Sequence, residues 1–157
     1  MLRWAAFLAY VLVLLYFTCF SESLGRTPEA YAEAELHYNL VLFNEIRRFW
    51  TYRRQLGAGA VLLNLAGNVL AFVPYGYLLP RITERGRSFT ACVFFGMMTS
   101  FLIECAQLAF HVGSFDVDDL LLNLTGVILG YLLSSLLNGL AVRHPEAVKL
   151  TAGPVRM

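Results

Sequence analysis

The chain reads as an all-α integral membrane protein: a bundle of four transmembrane helices plus an interfacial amphipathic helix in the long first loop. Three observations predict this. Of 157 residues, 58% are hydrophobic and 15% charged, and mean hydropathy is +0.60, far from the composition of a soluble domain. The apolar residues gather in four runs, 4–20, 58–79, 89–110 and 117–142, each near the ~20 residues a bilayer demands of a helix. Inside those runs the few polar residues recur at helical spacing. An ionisable group facing acyl chains costs ~3 kcal/mol or more, so such a stripe faces the bundle interior or water.

Residues 1–157 make one domain, with no room for a second. The first run follows Arg3 and is short for a span; YFTCFSES after it lacks an A-x-A cleavage signal, so it reads as an uncleaved helix. Residues 21–57 form a polar connection, with a short solvated helix expected over 27–36. In 38–54, Leu42, Phe43, Ile46, Phe49 and Trp50 recur at helical spacing against Glu45, Arg47, Arg48, Arg53 and Arg54. One aromatic-apolar face and one basic face place this segment in the headgroup plane, with Arg47 and Arg48 toward anionic head groups; a soluble cap packed on the bundle is the alternative.

In the second run Asn64, Gly67 and Asn68 share a face, and Pro74 is expected to kink or end the helix. Arg81, Glu84, Arg85 and Arg87 form a short basic loop before the third run. On that third run Glu104, Gln107 and His111 fall within about 40 degrees of Ser100 on a helical wheel. After the turn HVGSFD, Asp116, Asp119 and Asn123 form a second polar stripe, continued by Gly126 and Gly130. Gly126-x-x-x-Gly130 is a close-packing face that permits self-association. Cys19, Cys92 and Cys105 all lie in apolar runs without a C-x-x-C pair, as buried thiols do.

Orientation follows the lysine and arginine count. With both termini cytoplasmic, Arg3, Arg81, Arg85, Arg87, Arg143, Lys149 and Arg156 are inside and Arg26, Arg47, Arg48, Arg53 and Arg54 outside, seven against five. At ~1.5 Å per residue, Glu104, Asn123 and Asn64 then lie about 10 Å below the outer surface, and Ser100 and Asn68 about 15 Å. This convergence predicts a polar cavity open to the outer face, with Asp116 and Asp118 at its mouth.

Glu104, Asp116 and Asp119 are hard oxygen ligands suited to a divalent cation, if any metal binds; no other cofactor is expected. The same carboxylates suit general acid–base work when burial raises a pKa. The structural alternative is interhelical hydrogen bonding by Asn64, Asn68, Ser100, Gln107 and Asn123, and N-capping of the fourth helix by Asp116. No nucleophile motif, phosphate loop or H-E-x-x-H is present, and a net charge of +1 offers no basis for nucleic-acid binding.

The pieces YNLVLFNEIRRF at 38–49, NLAGNVLAFVPYGYLLP at 64–80 and SFLIECAQLAFHVGSFDVDDLLLNLTGVILGY at 100–131 together resemble the VanZ-like membrane proteins. The combination N-x-x-x-N…P-x-G with E-x-x-Q…D-x-D-D-x-x-x-N carries the resemblance. Leu42 stands where a proline is common and Gly113 where many members carry arginine. The resemblance implies a bacterial plasma-membrane location and a theme of low-level resistance to teicoplanin, a lipoglycopeptide directed at lipid-linked cell-wall precursors. It implies no reaction. Three functions remain open: a non-enzymatic envelope protein that binds a lipid-linked ligand or blocks antibiotic access, a membrane enzyme acting on a lipid or cell-wall precursor through Glu104 and Asp119, and a small-solute or proton-coupled carrier. The absence of an internal repeat speaks against the carrier.

Overall fold

Long, predominantly apolar runs become helices in lipid because a helix satisfies every backbone N–H and C=O within the segment. A computed structural model describes residues 2–20 and 38–143. The short helix expected at 27–36, the side chain of Cys19 and the tail beyond Arg143 lie outside the described residues. The elements in order are α1 (Leu2–Phe20), β1 (Tyr38–Asn39), α2 (Asn44–Thr51), α3 (Arg53–Leu56), α4 (Ala58–Ile82), a 3₁₀ turn at Arg85–Arg87, α5 (Phe89–Ala109), β2 (Phe115–Asp116) and α6 (Val117–Arg143).

Among the described residues three stretches are long and apolar enough to cross a membrane: Val61–Ile82, Phe89–Ala109 and Val117–Asn138. The apolar part of α1, Arg3–Thr18, is shorter. It nevertheless packs in the same bundle. Phe7 and Leu14 of α1 join Phe72, Tyr75 and Leu79 of α4, Cys92 and Ile103 of α5 and Val127 of α6 in one buried cluster. The Tyr10 hydroxyl donates to the Ala71 carbonyl at 2.6 Å, and the Arg3 guanidinium donates to the Arg81 carbonyl at 3.4 Å. Arg3 and Arg81 thus share one end of the molecule.

Helices α4 and α6 run parallel and make the closest approach. An ideal Cβ on Gly126 would lie 2.1 Å from the Val69 carbonyl oxygen, on Gly130 2.1 Å from that of Val73, and on Gly76 2.0 Å from that of Val127. Only hydrogen fits, so backbone meets backbone along this seam. The Gly126-x-x-x-Gly130 face that permits self-association is therefore spent inside the chain. Gly96 of α5 admits the Val127 side chain from the other side; a Cβ there would lie 2.6 Å from Val127 Cγ2.

Two local expectations need correction. Of the kink or end expected at Pro74, the end does not occur, for α4 continues through both Pro74 and Pro80 to Ile82. The missing N–H leaves the Leu70 carbonyl without its intrahelical donor, a cost that packing of α4 on α6 offsets. The amphipathic segment 38–54 is not one helix. Tyr38 and Asn39 pair in parallel with Phe115 and Asp116, Phe43 sits in the left-handed region at φ 64°, and only then does α2 begin. Its Phe49 is buried, while Leu40, Val41, Leu42, Phe43 and Trp50 remain exposed.

Candidate functional site

The polar groups gather where α1 and α5 end and α4 and α6 begin. The organising residue is Asp118, fully buried in the first turn of α6. Its carboxylate accepts from the backbone N–H of Phe43, of Glu45 at 2.8 Å and of Ile46 at 3.1 Å. Those are the opening donors of α2, which have no partner inside their own helix. Phe43, at the N-cap, has no side-chain oxygen to offer, so a carboxylate 75 residues away in sequence supplies the cap. Negative charge at a helix N-terminus is favourable for α2 and, from the first turn, for α6 as well.

Asp116 secures the neighbouring strand. Both of its carboxylate oxygens accept from the Asn39 Nδ2, which lies 3.1 Å from Oδ1 and 3.2 Å from Oδ2. Its Oδ1 also accepts the Asp118 N–H at 2.8 Å, which caps α6. The Asp116 N–H in turn donates to Glu104 Oε2 at 3.1 Å. Glu104, Asp116 and Asp118 therefore form one chain of bonds that ties α5 and α6 to the segment carrying α2. Burial pushes the Asp116 carboxyl above the ordinary carboxylate range, against the lowering effect of its bonds to Asp118 and Asn39. Glu45 is likewise raised by burial, with Arg48 opposing.

Deeper in the bundle the stripe closes on itself. Ser100, Glu104, Gln107 and Asn123 are all buried. Asn123 Nδ2 donates to Ser100 Oγ at 2.9 Å, Gln107 Nε2 donates to the Thr18 carbonyl at 2.8 Å, and Asn68 Nδ2 donates to Asp119 Oδ1. Asp116 and Asp118 are 3% and 0% exposed, so they are internal fasteners and not the lining of an open mouth. Each carboxylate oxygen that meets a backbone N–H here is held by a partner that burial would otherwise leave unsatisfied.

Two expected members stand apart. Asn64 is exposed on α4 and makes no side-chain hydrogen bond among the described residues. His111 leaves the Ser100 stripe because α5 stops at Ala109 and His111 takes φ 59°, a left-handed turn that swings it outward, exposed. Glu104, Asp116 and Asp119 do not assemble as a ligand set: among the described residues no three His, Cys, Asp or Glu groups are placed to hold a metal ion. Arg47 and Arg48 are exposed on α2, Arg48 paired with Glu45 at 2.8 Å.

Asn39 and the α2 backbone amides escape sequence reasoning because nothing periodic marks them; the signal is only a lone Asn before an apolar stretch that lacks a Ser, Thr or Asp cap. At the far end of the bundle, Arg81 donates to the Tyr77 carbonyl at 3.0 Å and to the buried Ser134 hydroxyl, with its guanidinium 3.8 Å from the Tyr77 ring centre. Ser134 is also silent in the sequence.

No curated protein and no solved structure matches the chain. The VanZ/LLP1 family model matches residues 7–138, which takes in most of α1, the clasp of Asn39, Asp116 and Asp118, and the glycine seam. The chain belongs to the VanZ/LLP1 family.

Proposed function

We propose that this VanZ-like membrane protein acts at the bacterial cell envelope as a non-enzymatic binder of a lipid-linked ligand, with four membrane passes and both termini cytoplasmic. The observation that carries the reading is the Asp116–Asp118 clasp. It spends buried carboxylates on fixing α2, a segment with exposed arginines and aromatics, to one end of an apolar bundle. Carboxylates saturated by backbone N–H groups are poor proton shuttles and good fasteners. Arg3, Arg81, Arg85 and Arg87 gather at the opposite end, which supports a cytoplasmic assignment for that end. The clasped end then faces outward, where lipid-linked cell-wall precursors and lipoglycopeptides meet.

Asp119 favours a second reading, in which the same end performs chemistry on a lipid or precursor. It is half-buried, and its described hydrogen bond is to the Asn68 amide alone. Glu104→Gln, Asp118→Asn and Asp119→Asn, scored for membrane abundance and for teicoplanin susceptibility in a sensitive host, separate the readings. For a binder, Asp118→Asn weakens the phenotype by displacing α2, whereas Asp119→Asn leaves phenotype and precursor profile intact. Loss of phenotype at normal abundance in Asp119→Asn alone supports the enzyme. A wild type without any phenotype removes the resistance theme.

A further inference from the structure

The clasp leaves one built feature of α2 unused. Asn44, Arg47, Arg48, Thr51 and Tyr52 line a shallow concavity of about 350 Å³ along one flank of the helix. Spacings of three, four, seven and eight residues from Asn44 align them in a single stripe. Arg48 is held in place: Glu45 takes its guanidinium at 2.8 Å, and the same group lies 5.4 Å from the Phe49 ring centre. Arg47 is exposed and has no ion pair or side-chain hydrogen bond among the described residues. The usual seat for an anion on a helix, its N-terminus, is closed here because Asp118 fills it. Two guanidiniums against one carboxylate leave the flank cationic. Hydroxyls of Thr51 and Tyr52 stand beside them.

The surroundings choose the kind of anion. Leu40, Val41, Leu42 and Phe43, just before the helix, are all more than half exposed, as is Trp50, and the Arg53 guanidinium lies 4.8 Å from the Trp50 ring centre. Basic groups next to exposed apolar and aromatic side chains suit a molecule that carries phosphate and acyl chains together. We propose that the Arg47 flank of α2 binds the phosphodiester headgroup of an anionic, hydroxyl-bearing membrane lipid. Arg47 grips the phosphate, as the forked guanidinium geometry favours. Arg48, oriented by Glu45, supplies a second charge, and the Thr51 and Tyr52 hydroxyls face the headgroup hydroxyls. The inference rests on the membrane reading above but not on any role for Glu104 or Asp119.

The test uses the full chain in zwitterionic detergent, titrated with dioleoylphosphatidylglycerol. The chain has two tryptophans, so a Trp4→Phe background leaves Trp50, one turn along α2, as the reporter. A saturable fluorescence change is expected with phosphatidylglycerol and not with phosphatidylcholine. Arg47→Gln should weaken binding about tenfold and Arg47→Lys about threefold, the latter keeping charge but losing the fork. Arg85→Gln, at the opposite end, should bind like the wild type. The site is overturned if Arg47→Gln and Arg48→Gln both bind like the wild type, or if Arg85→Gln loses as much as they do. Full displacement by millimolar inorganic phosphate would overturn the lipid as ligand, since the flank would then read a bare anion. Flotation with liposomes keeps the failures apart. A chain that does not float sinks the membrane reading, and one that floats but ignores Arg47 sinks only this site.

Discussion

At the scale of single residues, Glu104, Asp116 and Asp118 act as backbone fasteners. Asp118 is the clearest case, three N–H groups of α2 converging on one buried carboxylate. Asp118→Ala leaves those donors unpaired at ~1–3 kcal/mol for a buried group, enough to detach α2. Limited proteolysis should then cut within 40–56 at least several-fold faster than in the wild type, while Asp118→Asn gives an intermediate rate; equal rates in all three would remove Asp118 as the fastener. Asp116 adds a pH dependence of definite sign. Burial raises its folded-state pKa above the unfolded value, so the folded chain holds the proton more tightly. That contribution to stability is complete below the ordinary carboxylate value and is lost as pH rises through the raised one. Thermal midpoints in detergent should therefore fall with pH across this window, and Asp116→Asn should flatten the fall; Glu45, raised in the same direction, keeps part of it. An unchanged slope in Asp116→Asn would assign the dependence elsewhere. Asp116 was legible in the sequence as part of a polar stripe, and Asp118 only as a carboxylate beside it at an expected cavity mouth. Their partners were not, because Phe43, Glu45 and Ile46 contribute backbone, which carries no sequence signature.

Between elements, the decisive contact is the parallel seam of α4 and α6. Gly126→Ala or Gly130→Ala places a methyl 2.1 Å from a backbone carbonyl, which neither helix can yield without separating. Destabilisation of ~1–3 kcal/mol or more is expected, seen as a lower thermal midpoint and reduced membrane abundance. Gly67→Ala is the control, with nothing within 4 Å of its Cβ position, and should be neutral or gain up to ~1 kcal/mol from helix propensity. A Gly126→Ala protein as stable as Gly67→Ala would contradict the seam. The three long apolar helices followed from hydrophobic run length, and the seam's small residues were visible. What the pattern left open was whether that face meets another copy or another helix of the same chain. Nor did helical periodicity reveal that Tyr38–Asn39 is extended and that Phe43 turns left-handed, since pairing with β2 overrides it.

For the whole molecule, the two ends differ in chemistry: a basic end with Arg3, Arg81, Arg85 and Arg87, and a clasped end with α2 and buried acids. The proposed topology puts the first in the cytoplasm. In a background with the native cysteines replaced by serine, Thr51→Cys should react with an impermeant maleimide added to intact cells, and Arg85→Cys only after permeabilisation; the reverse pattern inverts the molecule. The sequence by itself determined an apolar, helical membrane protein of this family, its long apolar stretches and which few polar residues interrupt them. Those properties follow from composition and period, which each segment carries alone. Only the tertiary structure decided that Gly126 and Gly130 meet Val69 and Val73, that Asp118 caps a helix far away in sequence, and that Asn64 and His111 stand outside the polar group. A hydrogen bond to a backbone N–H depends on where two distant segments come to rest, and burial makes that arrangement obligatory only once the bundle has closed.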